Sequence, residues 1–201
     1  DLMRVGWNDW TEAAARALDE LYECTGKPAI VAGLSLGSLL ATHLAANFGS
    51  RVAGLAVMAN ATRLSLASRA PLWIFDVTRP FGNAFFMPKA GADIRDPSAR
   101  ERHLTYDVNP IKSAIEVMRA GRVVSAELGR VTCPTLVIHG RFDRVCPVAN
   151  ARRFADGLGT KDVEVRIMAN SGHIVTSDWD RGDVARRLDA FLSRTAHVPR
   201  P

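Results

Sequence analysis

Gly33-Leu34-Ser35-Leu36-Gly37 is the segment of this sequence with the clearest capacity for chemistry. A serine between two glycines follows the short apolar run 29–34 directly and opens a helix expected over about 38–48, the setting of a sharp strand-to-helix turn. Such a turn closes only over small neighbours and holds its serine in strained φ/ψ. It lifts the Ser35 hydroxyl off the backbone and leaves it beside free helix N–H groups, which favour a developing negative charge. A hydroxyl is a weak nucleophile near neutral pH, so the reading demands a base and a group to orient that base. Two later loops supply candidates. Asp143 lies in Gly140-Arg-Phe-Asp143-Arg-Val-Cys-Pro147 after an apolar run at 135–139, and His173 lies in Asn170-Ser-Gly-His173 after another at 163–169. The pentapeptide alone could be a tight turn without chemistry. Three residues of the required types, each just past a strand, are much harder to obtain by chance.

The elements that must position them alternate along the chain. Asp9 and Glu12 have capping-box spacing, and Trp10, Ala14, Ala17, Leu18 and Leu21 then recur at helical intervals until Gly26 and Pro28, which predicts a helix over about 9–25. Strand 29–34, helix 38–48 and strand 52–59 follow at the spacing of parallel pairing. Regularity lapses over about 60–109, where Pro71, Pro80, Pro88 and Pro97 stand among large aromatics, and this stretch reads as an insertion. A broken helix over 111–128, strand 135–139, helix 148–158, strand 163–169 and a helix over 181–194 complete the pattern. Val184, Leu188, Phe191 and Leu192 form one apolar stripe on the last helix. The class is α/β, a mainly parallel sheet with flanking helices. Its parts are 1–60 with the serine turn, 61–110 as the insertion, and 111–201 with the acid and histidine loops.

Composition bounds the alternatives. The 201 residues are 47% hydrophobic and 23% charged, which excludes a disordered or fibrous chain. The net charge of +5 comes from dispersed residues, mostly arginine, without the basic stripe and interleaved aromatics of a nucleic-acid binder. Cys24, Cys133 and Cys146 are odd in number and lack metal-ligand spacing, which points to a reducing compartment, the cytoplasm. No apolar run approaches membrane-spanning length, and the opening residues lack a signal-peptide pattern.

GLSLG, HGRFDRVCP and SGHIVTSD, followed by a helix ending in DAFL, resemble the bacterial carboxylesterase and monoacylglycerol lipase branch of the α/β-hydrolase superfamily. The chain order Ser, Asp, His is that superfamily's order. The resemblance covers most of the chain, least clearly the middle. It implies an α/β-hydrolase fold, hydrolysis of carboxylic esters through an acyl-enzyme, Ser35 as nucleophile, Asp143 as acid and His173 as base. The backbone N–H of Leu36 would be one oxyanion donor, the substrate a small acyl ester, and no cofactor or metal is required. Ser38 departs from a frequent third glycine. A thioesterase sharing the same machinery and a truncated, non-catalytic hydrolase-like protein remain alternatives.

Two further expectations follow from the resemblance. A second oxyanion donor normally comes from a loop after an earlier strand, marked by His-Gly. The only such pair here, His139-Gly140, immediately precedes the acid loop, so the sheet looks N-terminally incomplete and the chain a fragment of a longer one. The insertion is expected to form a lid. Leu72, Trp73, Ile74, Phe75, Phe81, Phe85, Phe86 and Met87 would either receive an acyl chain and touch lipid surfaces or fill a small cap core. His43 reads as a packed histidine, and His103 and His197 as having no role in chemistry. Asp76 and Asp107 lack a strand end to hold them, Asp178 is expected to cap the last helix, and Cys146 to pack near Asp143.

Overall fold

The computed structural model describes residues 4–77, 86–88 and 91–196. Four strands, β1 (Ala29–Leu34), β2 (Val52–Met58), β5 (Thr135–Gly140) and β6 (Val163–Met168), lie side by side in that order, every neighbouring pair parallel. A separate antiparallel pair joins β3 (Phe86–Pro88) to β4 (Val108–Pro110). The helices are α1 (Trp7–Thr25), α2 (Leu36–Asn47), α3 (Leu66–Val77), α4 (Pro97–Arg102), α5 (Ile111–Glu127), α6 (Ala149–Gly157) and α7 (Arg181–Ala196). Among the described residues no helix is long and apolar enough to cross a membrane.

The central strands read as continuous apolar runs because the sheet is covered on both faces. Leu55, Val57 and Val137 pack toward Leu39 and Leu44 of α2, Val124 of α5 and Phe154 of α6. The alternate residues Ala56, Met58, Leu136 and Ile138 pack toward Val184 and Phe191 of α7. This period-two division is what a strand imposes on its side chains. Each fully buried large side chain in these layers contributes about 1.5–3 kcal/mol relative to exposure. The packed layers hold the carboxyl ends of β1, β5 and β6 in fixed register, and the candidate residues lie just beyond those ends.

Three local expectations are corrected. Helix α1 starts at Trp7, with Gly6 as its extended N-cap. Asp9 is thus inside the first turn rather than at the cap, and its carboxylate accepts from the Gly6 N–H at 2.8 Å. The helix expected to break between 111 and 128 is continuous as α5, because Ile115, Ala120 and Val124 are buried and outweigh the roughly 1 kcal/mol that Gly121 costs a helix. The stretch 60–109 is more regular than its prolines suggest. Pro97 starts α4 rather than stopping a helix, with Asp96 as N-cap accepting from the N–H groups of Ser98 and Ala99. Pro88 and Pro110 lie in a two-stranded ribbon, where a missing N–H is tolerated.

Candidate active site

The turn after β1 is built by sterics. Ser35 is the N-cap of α2 at φ 56°, ψ −118°, in the left-handed half of backbone space that a serine rarely occupies. Holding it there costs on the order of 1–3 kcal/mol, which the surrounding contacts must offset. Gly33 permits the turn, since a Cβ at that position would lie 2.0 Å from the Gly37 carbonyl oxygen. The Ser35 N–H donates to Met58 O at 3.0 Å, tying the turn to β2. Ser38 donates to the Ser35 carbonyl twice, through N–H at 2.9 Å and through Oγ at 2.5 Å. Leu36 is the first residue of α2, so its N–H is among those a helix leaves without an internal acceptor.

The loops after β5 and β6 bring the other two residues to this turn. His173 is almost fully buried, with Nε2 2.8 Å from Ser35 Oγ and Nδ1 2.9 Å from Asp143 Oδ2. The acceptor-only carboxylate places a proton on Nδ1 and leaves Nε2 able to accept from the serine hydroxyl. The fully buried Asp143 carboxylate also accepts at Oδ1 from the N–H groups of Val145 (2.9 Å) and Cys146 (2.8 Å). Burial alone would push this carboxyl up. The hydrogen bonds from His139 and His173, the charge interaction with His173 and the Cys146 N–H outweigh burial and hold it well below the ordinary carboxylate range.

Close backbone approach joins the two loops. A Cβ on Gly140 would lie 2.0 Å from Gly172 O, and the Phe142 N–H donates to Ser171 O at 3.0 Å. Two further carboxylates clamp the assembly. Asp93 accepts from the N–H groups of Arg144 (2.9 Å) and His173 (3.2 Å) and from Arg144 Nε (2.8 Å). Asp178 is wholly buried and accepts four backbone N–H bonds, from Arg95, Asp96, Gly172 and Trp179, each at 2.8 Å. The expectation that Asp178 caps the last helix is corrected: α7 starts at Arg181, and the Asp178 carboxylate faces the histidine loop and the segment 95–96 instead.

Sequence reasoning placed Ser35, Asp143 and His173 in loops that do converge. It missed Asp93, which lies where no periodicity marks it. It also missed the side chain of His139, a polar residue at the end of an apolar strand, which is fully buried beside Asp143. His43 is a packed residue, hydrogen-bonded to Glu127 at 2.9 Å and edge-on to Trp7. Asp107 is exposed and His103 half-buried at the end of α4. Phe81, Phe85, His197 and the side chains of Trp73, Ile74, Phe75, Asp76 and Met87 lie outside the described residues. Asp143, Cys146 and His173 offer ligand-type atoms within 4.8 Å of one another. Burial, followed by the carboxylates of Asp143 and Asp93, pushes the Cys146 thiol far up, and a metal would need the thiolate. The donor set is therefore an acid–base pair beside an inert thiol.

A model of the Hydrolase_4 family, described as "Serine aminopeptidase, S33", matches residues 5–180. The chain belongs to this family. Its fold is that of the α/β-hydrolases, as the motifs implied, and its relatives include monoacylglycerol lipases and esterases. This α/β-hydrolase is 24% identical over 196 residues to a thermostable monoacylglycerol lipase of Bacillus sp. (strain H-257), covering 98% of the present chain and 74% of that lipase. A solved structure reported with the metagenome-derived lipolytic enzymes LipS and LipT superposes with a TM-score of 0.85 at 29% identity, over 96% of this chain and 76% of that one. The monoacylglycerol lipase of Paleococcus ferrophilus shares the fold, with a TM-score of 0.78 at 21% identity over 92% of this chain and 76% of its own.

Proposed function

We propose that the protein cleaves carboxylic esters, with Ser35 as nucleophile, His173 as general base and then acid, and Asp143 as the group that orients the imidazole. The observation that carries this reading is the unbroken hydrogen-bonded series from Ser35 Oγ through both nitrogens of His173 to Asp143. As Ser35 Oγ attacks the ester carbonyl, its proton passes to His173 Nε2. The imidazolium is stabilised by the Asp143 carboxylate and returns the proton to the leaving alcohol. Water then adds to the acyl-enzyme, giving its proton to His173, and Ser35 departs with that proton as the acid is released. The Leu36 N–H, at the first position of α2, is the donor for the developing oxyanion in this scheme, where one such donor is worth about 10²–10³ in turnover.

The family's description names an aminopeptidase, whereas the Bacillus relative is a monoacylglycerol lipase and a Chromobacterium violaceum relative, 27% identical over 156 residues, is a pimeloyl-[acyl-carrier protein] methyl ester esterase. These names favour esters over amides, and monoacylglycerols or short- to medium-chain acyl esters within that class. The stretch 61–110 acts as a lid: Asp93 fixes its far end to the acid and histidine loops and Asp96 to Arg181 at the start of α7, and it carries the exposed Leu66, Phe86, Leu104, Tyr106 and Val108 that would meet an acyl chain or a lipid surface. The free thiols Cys24, Cys133 and Cys146 support a reducing, cytoplasmic setting.

Labelling with a fluorophosphonate probe, alongside hydrolysis of p-nitrophenyl esters of graded chain length, a monoacylglycerol, an acyl thioester and an aminoacyl anilide, tests this. Labelling that disappears in Ser35→Ala and turnover greatest on oxygen esters are expected. Labelling that persists without Ser35, or preference for the anilide or thioester, overturns the reading or its substrate class.

A further inference from the structure

One histidine near the reacting groups has no part in the steps above. His139 is the last residue but one of β5, four residues before Asp143, and is completely buried in a strand whose other side chains are apolar apart from Thr135. Its Nε2 lies 3.1 Å from Asp143 Oδ2 and 3.2 Å from the Cys146 carbonyl oxygen. Both neighbours can only accept, so Nε2 carries the proton. Nδ1 meets no hydrogen-bond partner among the described residues. A leucine or valine would fill this position without leaving a buried ring nitrogen unpaired, a penalty of about 1–3 kcal/mol. The imidazole is thus poorly explained by packing and well explained by the oxygen it touches.

That oxygen is the one His173 uses. Asp143 Oδ2 accepts from His173 Nδ1 at 2.9 Å and from His139 Nε2 at 3.1 Å, while Oδ1 is occupied by two backbone N–H groups. We propose that His139 is a positioning residue for the reaction: it holds Asp143 Oδ2 between two imidazoles and limits how strongly the carboxylate draws a proton onto His173. Sharing its lone pairs with a second donor makes Oδ2 a weaker acceptor toward His173, so the base stays neutral, and able to take the serine proton, to lower pH. This inference rests on the roles proposed for Ser35, Asp143 and His173.

The groups facing the pair are His139 from β5, Cys146 from the acid loop, Ser35 from the turn after β1, and Asp93 with the Arg144 guanidinium on it. Only the first changes in the following comparison. His139→Leu and His139→Met remove the donor, whereas His139→Gln keeps an N–H close to the place of Nε2. The acid limb of kcat/KM against pH should move up by about half a unit or more in the Leu and Met variants, a threefold or greater gain in apparent proton affinity, and stay in place in the Gln variant. KM should be unchanged in all three. Nitrogen-15 NMR of the histidine rings should show the same displacement in the His173 titration, a readout that needs no turnover.

An acid limb and a His173 titration that stay put in the donor-less variants, while thermal stability falls, would make His139 merely structural and overturn the proposal. A downward displacement would overturn it too, since the lost bond would then have been supporting His173 rather than restraining it. If the wild-type protein hydrolyses no ester, the triad reading fails on its own, and the NMR titration still decides whether His139 governs the Asp143–His173 pair. Should one donor-less variant not fold, the other carries the comparison with Gln.

Discussion

The turn that carries Ser35 and the paired loops that carry Asp143 and His173 reach the same point in space by opposite means. The turn is local. Gly33, Ser35, Gly37 and Ser38 lie within six residues, and their mutual contacts set its shape. The acid and histidine loops are assembled from afar: Asp93 reaches Arg144 and His173, Asp178 reaches Arg95 and Asp96, and Gly140 lies against Gly172. Strain is stored on the local side, in a serine at positive φ, while the long-range side is built of buried carboxylates saturated by N–H donors. The nucleophile's turn is therefore set mainly by adjacent residues, with one backbone tie to β2, whereas its base needs the whole sheet to be in register.

The largest expected effects come from crowding either side. Gly33→Val would force a side chain into the Gly37 backbone, and Gly140→Val into the Gly172 backbone, each from a starting separation of 2.0 Å. Esterase activity should fall to the level of Ser35→Ala in both. The comparison is sharpened by stability: calorimetry should show the greater loss for Gly140→Val, because its clash separates two strands' loops rather than one turn. Equal losses would break the distinction between local and distributed construction.

Asp178→Asn comes next. The amide retains one acceptor oxygen but turns an NH₂ group toward N–H donors, in a site with no exposure. A loss of about 2–4 kcal/mol is expected, measurable by urea denaturation, with activity falling because Gly172 sits beside His173. Asp93→Asn is milder, since the Asp93 carbonyl still accepts from the Ile174 N–H at 3.2 Å. A roughly tenfold fall in kcat is expected, comparable to the lower range for partners that orient a reacting group, with stability little changed. In both variants the Ser35 turn should keep its shape, so fluorophosphonate labelling should slow rather than vanish.

Acid provides a different separation. The Asp143 carboxyl is held below its ordinary value in the folded state, so its contribution to stability is fully present above the unfolded carboxyl's value of about 3.9 and is lost progressively as pH falls from there through the lower folded value. Between about pH 4 and 7 this contribution is therefore retained, and any loss of activity there should occur without unfolding. Circular dichroism that collapses along with activity in that window would contradict this.

The same contrast explains what could be read in advance. Ser35 was legible because its neighbours in sequence are its neighbours in space. Asp143 and His173 were legible because an apolar run ending in a polar loop marks the carboxyl end of a buried strand. The four strands of the parallel sheet are legible to within a residue or two, since the layers on both faces demand continuous apolar side chains, whereas the short β3–β4 ribbon carries no such signal. Asp93 was hidden in the stretch 60–109, whose contacts are with residues some 50 to 80 positions away. Asp178 reads as a cap of the helix next to it in sequence, although half of its bonds go to a segment more than 80 residues away. His139 carried a visible signal, a histidine inside an apolar strand, but only the fold puts its ring against the acid.

Ser38 gives the smallest and most discriminating test of the local side. Its Oγ donates to the Ser35 carbonyl and accepts from the Ala61 N–H at 3.4 Å, a side-chain link between the turn and the segment that follows β2. The Ser38 N–H keeps its own bond to the same carbonyl whatever the side chain. Ser38→Gly therefore removes one strong and one weak hydrogen bond and adds backbone freedom near the helix start, together about 1–2 kcal/mol. For a chain of this length that is a fall of roughly 2–8 °C in Tm. Because the close approach of Gly33 to the Gly37 backbone sets the turn by sterics and Ser38 only fastens it, kcat and labelling rate should change less than threefold. A larger kinetic loss would mean that the strained φ of Ser35 is maintained by the Ser38 hydroxyl, and that the local side, too, depends on a contact from beyond its own six residues.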